Sequence, residues 1–325
     1  MSISELLNTA VVAGKMILMS PEDRRAFEAL ELRVRAILPK EYQDRYEDVA
    51  PVSMGSASLK FGDDGKVAWD DIWGAFCDLA MAGGPPHKGK LLLPATGAEI
   101  QQAPERYREV VQEICRGIRM VTHLAVMPSP VPGWVQVDCD DAVMASWLAR
   151  AIAMENVSAR CEGTLLDLPA GPNYRIEKEI KNVITSIAKT CHYWQGHVGT
   201  AQQREIEGLF AALESESPLI QPAVEGYGFQ PDSDRELRNA LGDKILAATG
   251  LPPSQTPCDG WLGIVCPSVK AAIWMMRALV ACNVFARRED TVLFVPVNPA
   301  TDPEGDIVVR QMRRAHGGAR VRGLA

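Results

Sequence analysis

Apolar and polar positions along this chain fall into two blocks that share one pattern. Residues 133–137 and 260–265 are short apolar runs, bounded by turn residues and rich in β-branched and aromatic types, which predicts a strand in each. Helix-length segments follow at 140–154 and 267–282. In the first, Val143, Trp147, Ala151 and Met154 recur at helical spacing, and Trp274, Leu279 and Cys282 lie close to the same stripe in the second. Asp140 can cap the first helix, and Pro267 suits the first turn of the second, where its missing N–H costs nothing. Residues 156–160 and 283–287, a short turn, and the apolar runs 164–168 and 291–295 then predict a β-hairpin. After a proline, a second helix is expected over 174–189 and 306–314. Each block therefore reads β-α-β-β-α. A right-handed crossover packs the first helix back on its sheet, giving a ferredoxin-like helix-on-sheet layer in an α/β (α+β) chain.

The two blocks are copies of one another. Shifting the sequence by 127 positions (260 − 133) superposes 37 residues without a gap, and 15 of them are identical. They include Gly133/Gly260, Trp134/Trp261, Cys139/Cys266, Trp147/Trp274, Arg150/Arg277, Asn156/Asn283, Arg160/Arg287, Thr164/Thr291 and Pro169/Pro296. Chance gives about two or three, so an internal repeat organises the chain. A third, more divergent copy is expected upstream: a strand at 56–61, a helix over 69–81, a strand at 90–95 and an amphipathic helix over 105–121. The expected organisation is thus an N-terminal helical segment (1–50), a divergent copy (51–128), a copy (129–198), a helical insertion (199–257) and a copy (258–325). Within 1–50 two helices are read. The second starts at Ser20-Pro-Glu-Asp23, where a hydroxyl, a first-turn proline and two acids form a start signal, and Pro39 ends it. The last residues, 317–323, read as a short frayed basic tail.

Composition narrows the function classes. A length of 325 residues calls for two or three packed units. A net charge of −7 and a pI near 5.4 argue against a general nucleic-acid or anionic-membrane binder, which carries a basic face. Eight cysteines without paired short spacings point to reduced thiols in the cytoplasm and not to a disulfide framework. No apolar run approaches the length of a membrane span, and the first residues carry no basic, cleavable leader.

Two stretches concentrate chemistry. The loop Gly83-Gly-Pro-Pro-His-Lys-Gly-Lys90 offers close backbone approach at Gly84, and His87, Lys88 and Lys90 as partners for a small anion. Arg160 and Arg287, recurring in both copies, are further anion-binding candidates, with ion pairing inside the fold as the plainer reading. The segment Cys191-His-Tyr-Trp-Gln-Gly-His197 holds a thiol and two imidazoles within seven residues, a potential transition-metal site. A histidine at a helix C-terminus is also favoured simply by the helix dipole. His123, His192 and His316 fall at comparable helix ends, so three imidazoles would converge on one metal if three copies packed around an axis. Cys139 and Cys266 precede helix starts, where a thiol becomes reactive or a small residue packs.

No Ser-His-Asp order, GxSxG, HExxH, GxGxxG or Walker motif is present. The reading that follows is a cytoplasmic accessory protein, non-catalytic, binding a metal, cofactor or partner enzyme. One alternative is an enzyme acting on a small anionic substrate between repeats, near His87, Lys88 and His192. Another is a structural protein forming homo-oligomers. No partner class beyond a protein or a small anion is indicated.

Overall fold

A proline that fits only the first helical turn opens the first long element. In the computed structural model, which describes residues 11–12, 15–16, 21–43, 58–73 and 76–325, helix α1 (Pro21–Ile37) begins at Pro21, with Glu22 and Asp23 against its positive end. Phe27, Leu30, Val34 and Ile37 recur on one face and are buried. The earlier helix expected within 1–20 lies outside the described residues, except that Val11–Val12 pairs antiparallel with Lys15–Met16. The protein is of the α+β class and divides into two compact units. One is formed by residues 39–203, here the central unit, and the other by 1–38 with 204–325, the terminal unit.

In the central unit a short helix α2 (Gly97–Gln102) starts with a capping box between Thr96 and Glu99. Helix α3 (Pro104–Thr122) follows, then strands β1 (Ala125–Pro128) and β2 (Trp134–Asp138), helix α4 (Ala142–Met154), the hairpin β3 (Arg160–Glu162) and β4 (Leu165–Pro169), and helix α5 (Lys181–Gly196). A π-helical turn, Ile176–Ile180, stands where the start of that last helix was expected. The sheet is antiparallel in the order β1-β2-β4-β3. α4 is buried on almost every side, from Met144 through Met154, because the sheet and α5 both pack against it. Its many alanines allow that close approach, and Asp141, not Asp140, caps it by accepting the Met144 N–H at 2.7 Å.

The terminal unit continues with α6 (Thr200–Glu216) and α7 (Pro231–Thr249), then β5 (Trp261–Val265), α8 (Val269–Val280), the hairpin β6 (Arg287–Glu289) and β7 (Val292–Pro296), and α9 (Asp306–Val321). Its sheet runs β5-β7-β6. The strand registers match at the offset of 127: Trp134 faces Pro169 and Trp261 faces Pro296, while Arg160 faces Asp167 and Arg287 faces Phe294. α9 runs past its expected end, through Gly317 and Gly318. Gly318 lets the helix close on the Trp274 indole, and Arg322 just beyond it is bonded to Glu31 at 2.6 and 2.7 Å, so helix and an ion pair stand where a frayed tail was expected.

The correspondence reaches further back than the first strands. α3 and α7 both open on proline, at positions 104 and 231 (231 − 104 = 127), and both end in a left-handed residue, His123 and Gly250. Leu92 bridges Val157 in parallel, and Ile220 bridges Val284 likewise. Residues 90–95 thus form no strand of their own: Leu92 makes a single bridge to Val157, outside the four strands of the central unit's sheet. Of the other elements expected for a third copy, only the helix over 105–121 forms. Phe61 bridges Val67 alone, and 69–81 contains two single 3-10 turns, Trp69–Asp71 and Ala80–Ala82, with residues 56–57 and 74–75 outside the described set.

Recurring residues do recurring structural work. Asn156 and Asn283 take left-handed backbone (φ 60 and 62) just after α4 and α8. Each uses its side-chain amide to hold the segment beside it, donating to the carbonyls of Lys88 (2.8 Å) and Ser217 (2.9 Å). Gly133 and Gly260 have φ of 91 and 70, and a Cβ on either would collide with a backbone carbonyl, that of Ala95 or Ala223. Replacing Gly133 or Gly260 by Ala is expected to cost about 2–3 kcal/mol in a urea titration, from backbone strain plus the collision. Gly163→Ala, with φ 57 but nothing within 4 Å, should cost only about 1 kcal/mol. Equal losses at all three would rule out the carbonyl collisions as the cause.

Candidate functional site at the end of helix α5

A carboxylate cannot be taken out of water without donors to replace its hydration. Glu155, directly after α4, is fully buried, and the fold supplies three donors to it. They are the Ala80 N–H (2.8 Å), the His87 N–H (2.9 Å) and the Lys189 ammonium (2.9 Å) from α5. The glycine-proline loop at 83–90 wraps past the chain's own Glu155 and gives one amide, that of His87, to its carboxylate. Gly84 is needed for this wrapping, since a Cβ there would strike the Asp78 carbonyl. The Lys88 N–H bonds the Glu155 carbonyl at 3.1 Å, and Lys90 is exposed beyond it.

Lys189 is itself fully buried and also donates to the Cys77 thiol at 3.3 Å. Burial on its own would lower the Lys189 pKa, but the Glu155 carboxylate and Cys77 outweigh it and the pKa is raised. The His87 ring sits against this network with its Nε2 buried and unpartnered. Burial pulls its pKa down to about 4 despite the Glu155 carboxylate nearby. The side chains of Cys139 and Cys266 are buried and their pKa values are pushed up to about 12, so both thiols pack and neither is activated.

One helical turn beyond Lys189, α5 reaches the surface and ends. His192 is exposed there, and His197 caps the helix. Their Nε2 atoms face each other at 3.2 Å, and His197 Nδ1 meets Glu41 Oε2 at 2.6 Å. A carboxylate accepts, so His197 donates from Nδ1, and its Nε2 then accepts from His192. Burial and the neighbouring His197 lower the His192 pKa, favouring the neutral ring. Beside the pair, Tyr42 donates to Asp78 and shares a 2.9 Å hydrogen bond with Tyr193, while the Phe76 ring lies 5.3 Å from that of His192. Burial and the Asp78 contact raise the Tyr42 pKa, so the phenol keeps its proton.

The other expected ligands fall elsewhere. Cys191 is buried on the core side of α5, and burial drives its thiol pKa well up. His123 is an exposed left-handed cap on α3, and His316 is half-buried on α9 in the terminal unit. No group of three or more His, Cys, Asp or Glu among the described residues is placed to hold a metal ion. Arg287 is a core residue: its guanidinium lies 3.8 Å from the Phe294 ring centre and bonds Glu289 at 2.7 Å. Arg160, half-buried, stands opposite Asp167 in the β3–β4 ladder.

Glu155, Lys189, Glu41 and Tyr42 went unrecognised in the sequence. The available signal was the difference between copies: Glu155 and Lys189 stand where the second copy has Cys282 and His316 (155 + 127 and 189 + 127). Nothing local marks Glu41, which lies 156 residues from His197. No known protein family, curated protein or solved structure matches the chain.

Removing one partner of the buried pair should be far worse than removing both. Glu155→Gln and Lys189→Met are each expected to cost about 3–5 kcal/mol, and the double variant much less than their sum. Strict additivity in chemical denaturation would show that the two do not interact. A second test uses pH. The His87 pKa is depressed in the folded chain, so as pH falls from 6.5 towards 4 the unfolded state takes up a proton that the folded state refuses. Stability is lost through that window, by at most about 3 kcal/mol. The slope should be visibly shallower in His87→Phe, and identical slopes would place the ring in water.

Proposed function

We propose that this protein is a non-catalytic accessory protein that binds a divalent transition-metal ion through His192 and His197 and presents it, incompletely coordinated, to a partner. The reading is supported by one observation above the rest: the two Nε2 atoms lie 3.2 Å apart with Glu41 on the far nitrogen of His197. Two imidazole nitrogens on one tetrahedral metal, each at about 2.0–2.1 Å, are separated by about 3.3 Å. A metal would replace the single proton that the rings share. The carboxylate behind one ligating imidazole fixes its tautomer and raises its basicity, the usual outer-shell arrangement. Both rings stand at the C-terminus of α5, where the helix dipole favours a cation.

Two protein nitrogens leave the remaining positions to water or to a partner's side chains, which suits loading and release. The paired units support a further reading, that the chain is a tandem duplication of one ferredoxin-like layer, with the metal-binding function carried by the central copy alone.

Titration calorimetry with Ni²⁺ and with Zn²⁺ tests this. The full chain should bind one ion, His192→Ala and His197→Ala should each lose at least about tenfold in affinity, and Glu41→Gln about tenfold. Binding should weaken as pH falls through the imidazole range, because the ligands must be neutral. Unchanged affinity in both alanine variants would sink the proposal.

A further inference from the structure

A groove of about 470 Å³ runs along the terminal unit between α1 and α9. Ala26 and Val321 give it accessible apolar surface above the buried Phe27 and Leu30, and four arginines line it from α9: Arg310, Arg313, Arg314 and Arg320. Arg310, Arg313 and Arg320 are exposed and form no ion pair among the described residues, whereas Arg33 and Arg322 of the same unit are bound to Glu216 and Glu31. Arg314, half-buried, contacts the Cys282 sulfur at 4.0 Å, and the Glu216 carboxylate feels the charge of both Arg314 and Arg310. Asp23 is the acid in the lining. This cationic cluster belongs to a chain whose net charge is −7.

Helix electrostatics does not account for it. Arg320 lies in the last turn of α9, where a cation is favoured, but Arg310 stands in the first half, where the dipole opposes one. Gly317 is a second, independent feature. Glycine inside a helix is destabilising, and Gly318 has a packing reason, the Trp274 indole 3.0 Å from where its Cβ would be. Gly317 has none: nothing lies within 4 Å of its Cβ position. What that glycine leaves is open space on the groove's floor.

We propose that this groove is a binding site for a small organic phosphate, a phosphate ester whose apolar body lies over Gly317 against Ala26 and Val321 while the arginine rim holds the phosphate. A phosphate ester fits the rim better than a carboxylate, because it carries about −1.5 to −2 charges and three acceptor oxygens for several guanidinium forks. The size suits one drug-sized molecule.

The probe is 1-naphthyl phosphate, titrated into the full chain, with inorganic phosphate and 1-naphthol as its two halves. The ester should bind at one site at least about tenfold more tightly than either half. The Arg310→Ser/Arg313→Ser double variant should lower its affinity by at least about tenfold. Gly317→Leu should abolish binding with Tm unchanged or raised, since leucine fills the groove and favours helix. Ester binding indifferent to both variants would overturn the proposal. So would inorganic phosphate binding as tightly as the ester, or a single-stranded oligonucleotide or acidic peptide showing the arginine dependence while the ester does not bind.

Discussion

One buried carboxylate sets the form of the central unit. Glu155 sits at the C-terminal end of α4, where the helix's own carbonyls already concentrate negative charge, and it is fully removed from water. It persists there only because three donors reach it, and each comes with a structural consequence. The Ala80 and His87 amides fold the loop before Leu92 into a wrap, so that Leu92 arrives beside Val157. The Lys189 ammonium aligns α5, and with it Tyr193 and His192 one turn on. Cys77 and Asp78, held in the same wrap, bring the Tyr42 hydroxyl within reach, and Glu41 stands next to Tyr42. The imidazole–carboxylate arrangement at the surface is thus downstream of an ion pair in the core.

The terminal unit keeps the strand registers and the helix order but not this device. Cys282 replaces Glu155, His316 replaces Lys189, and the buried ion pair of that unit is Arg322 with Glu31, which ties the end of α9 to α1. Arg322 also lies over the Trp274 ring, 4.6 Å from its centre. Where the two blocks agree in sequence, at Trp147 and Trp274, Asn156 and Asn283, or Cys139 and Cys266, the side chains are core or turn residues. Where they differ, polar groups unique to one block appear. Identity between the two blocks thus falls on core and turn positions, and the buried pair of Glu155 and Lys189 falls on mismatches.

That distinction explains what could be read from the chain and what could not. Strand positions, the hairpin and the crossover helix were legible because period-2 and period-3.6 patterns and turn residues are local properties. The offset of 127 was legible too, and it continues to Pro104 and Pro231, which identifies α7 as the counterpart of α3 where the residues alone had suggested an inserted helix. The expected helix over 69–81 gives way to two 3-10 turns, and at its end the Ala80 amide is taken by Glu155, 75 residues away. Cys191 and His192 are adjacent in sequence yet face opposite environments, one in the core and one at the surface, and only packing decides which face a helical residue presents. The pairing of His192 with His197 was visible as spacing, whereas its carboxylate partner was not.

The contrast between the two ends of α5 bears on the proposed metal handling. A closed site with four protein ligands contributes folding energy, and its metal leaves only as the domain opens. At Lys189 the core of the central unit is fixed without any metal, through groups that are wholly buried. At His192 and His197 the donors are accessible, with side chains that stay connected to the solvent and to Glu41. An ion held there can exchange without disturbing the buried pair, because the bonds that position the helix lie one turn deeper. Trp73 and Phe76, with ring centres 5.7 Å apart and continuing to the His192 ring, provide a half-exposed aromatic border beside the two imidazoles. A partner docking on that border would place its own donors next to the open coordination positions, so that binding of the partner and transfer of the ion become a single event.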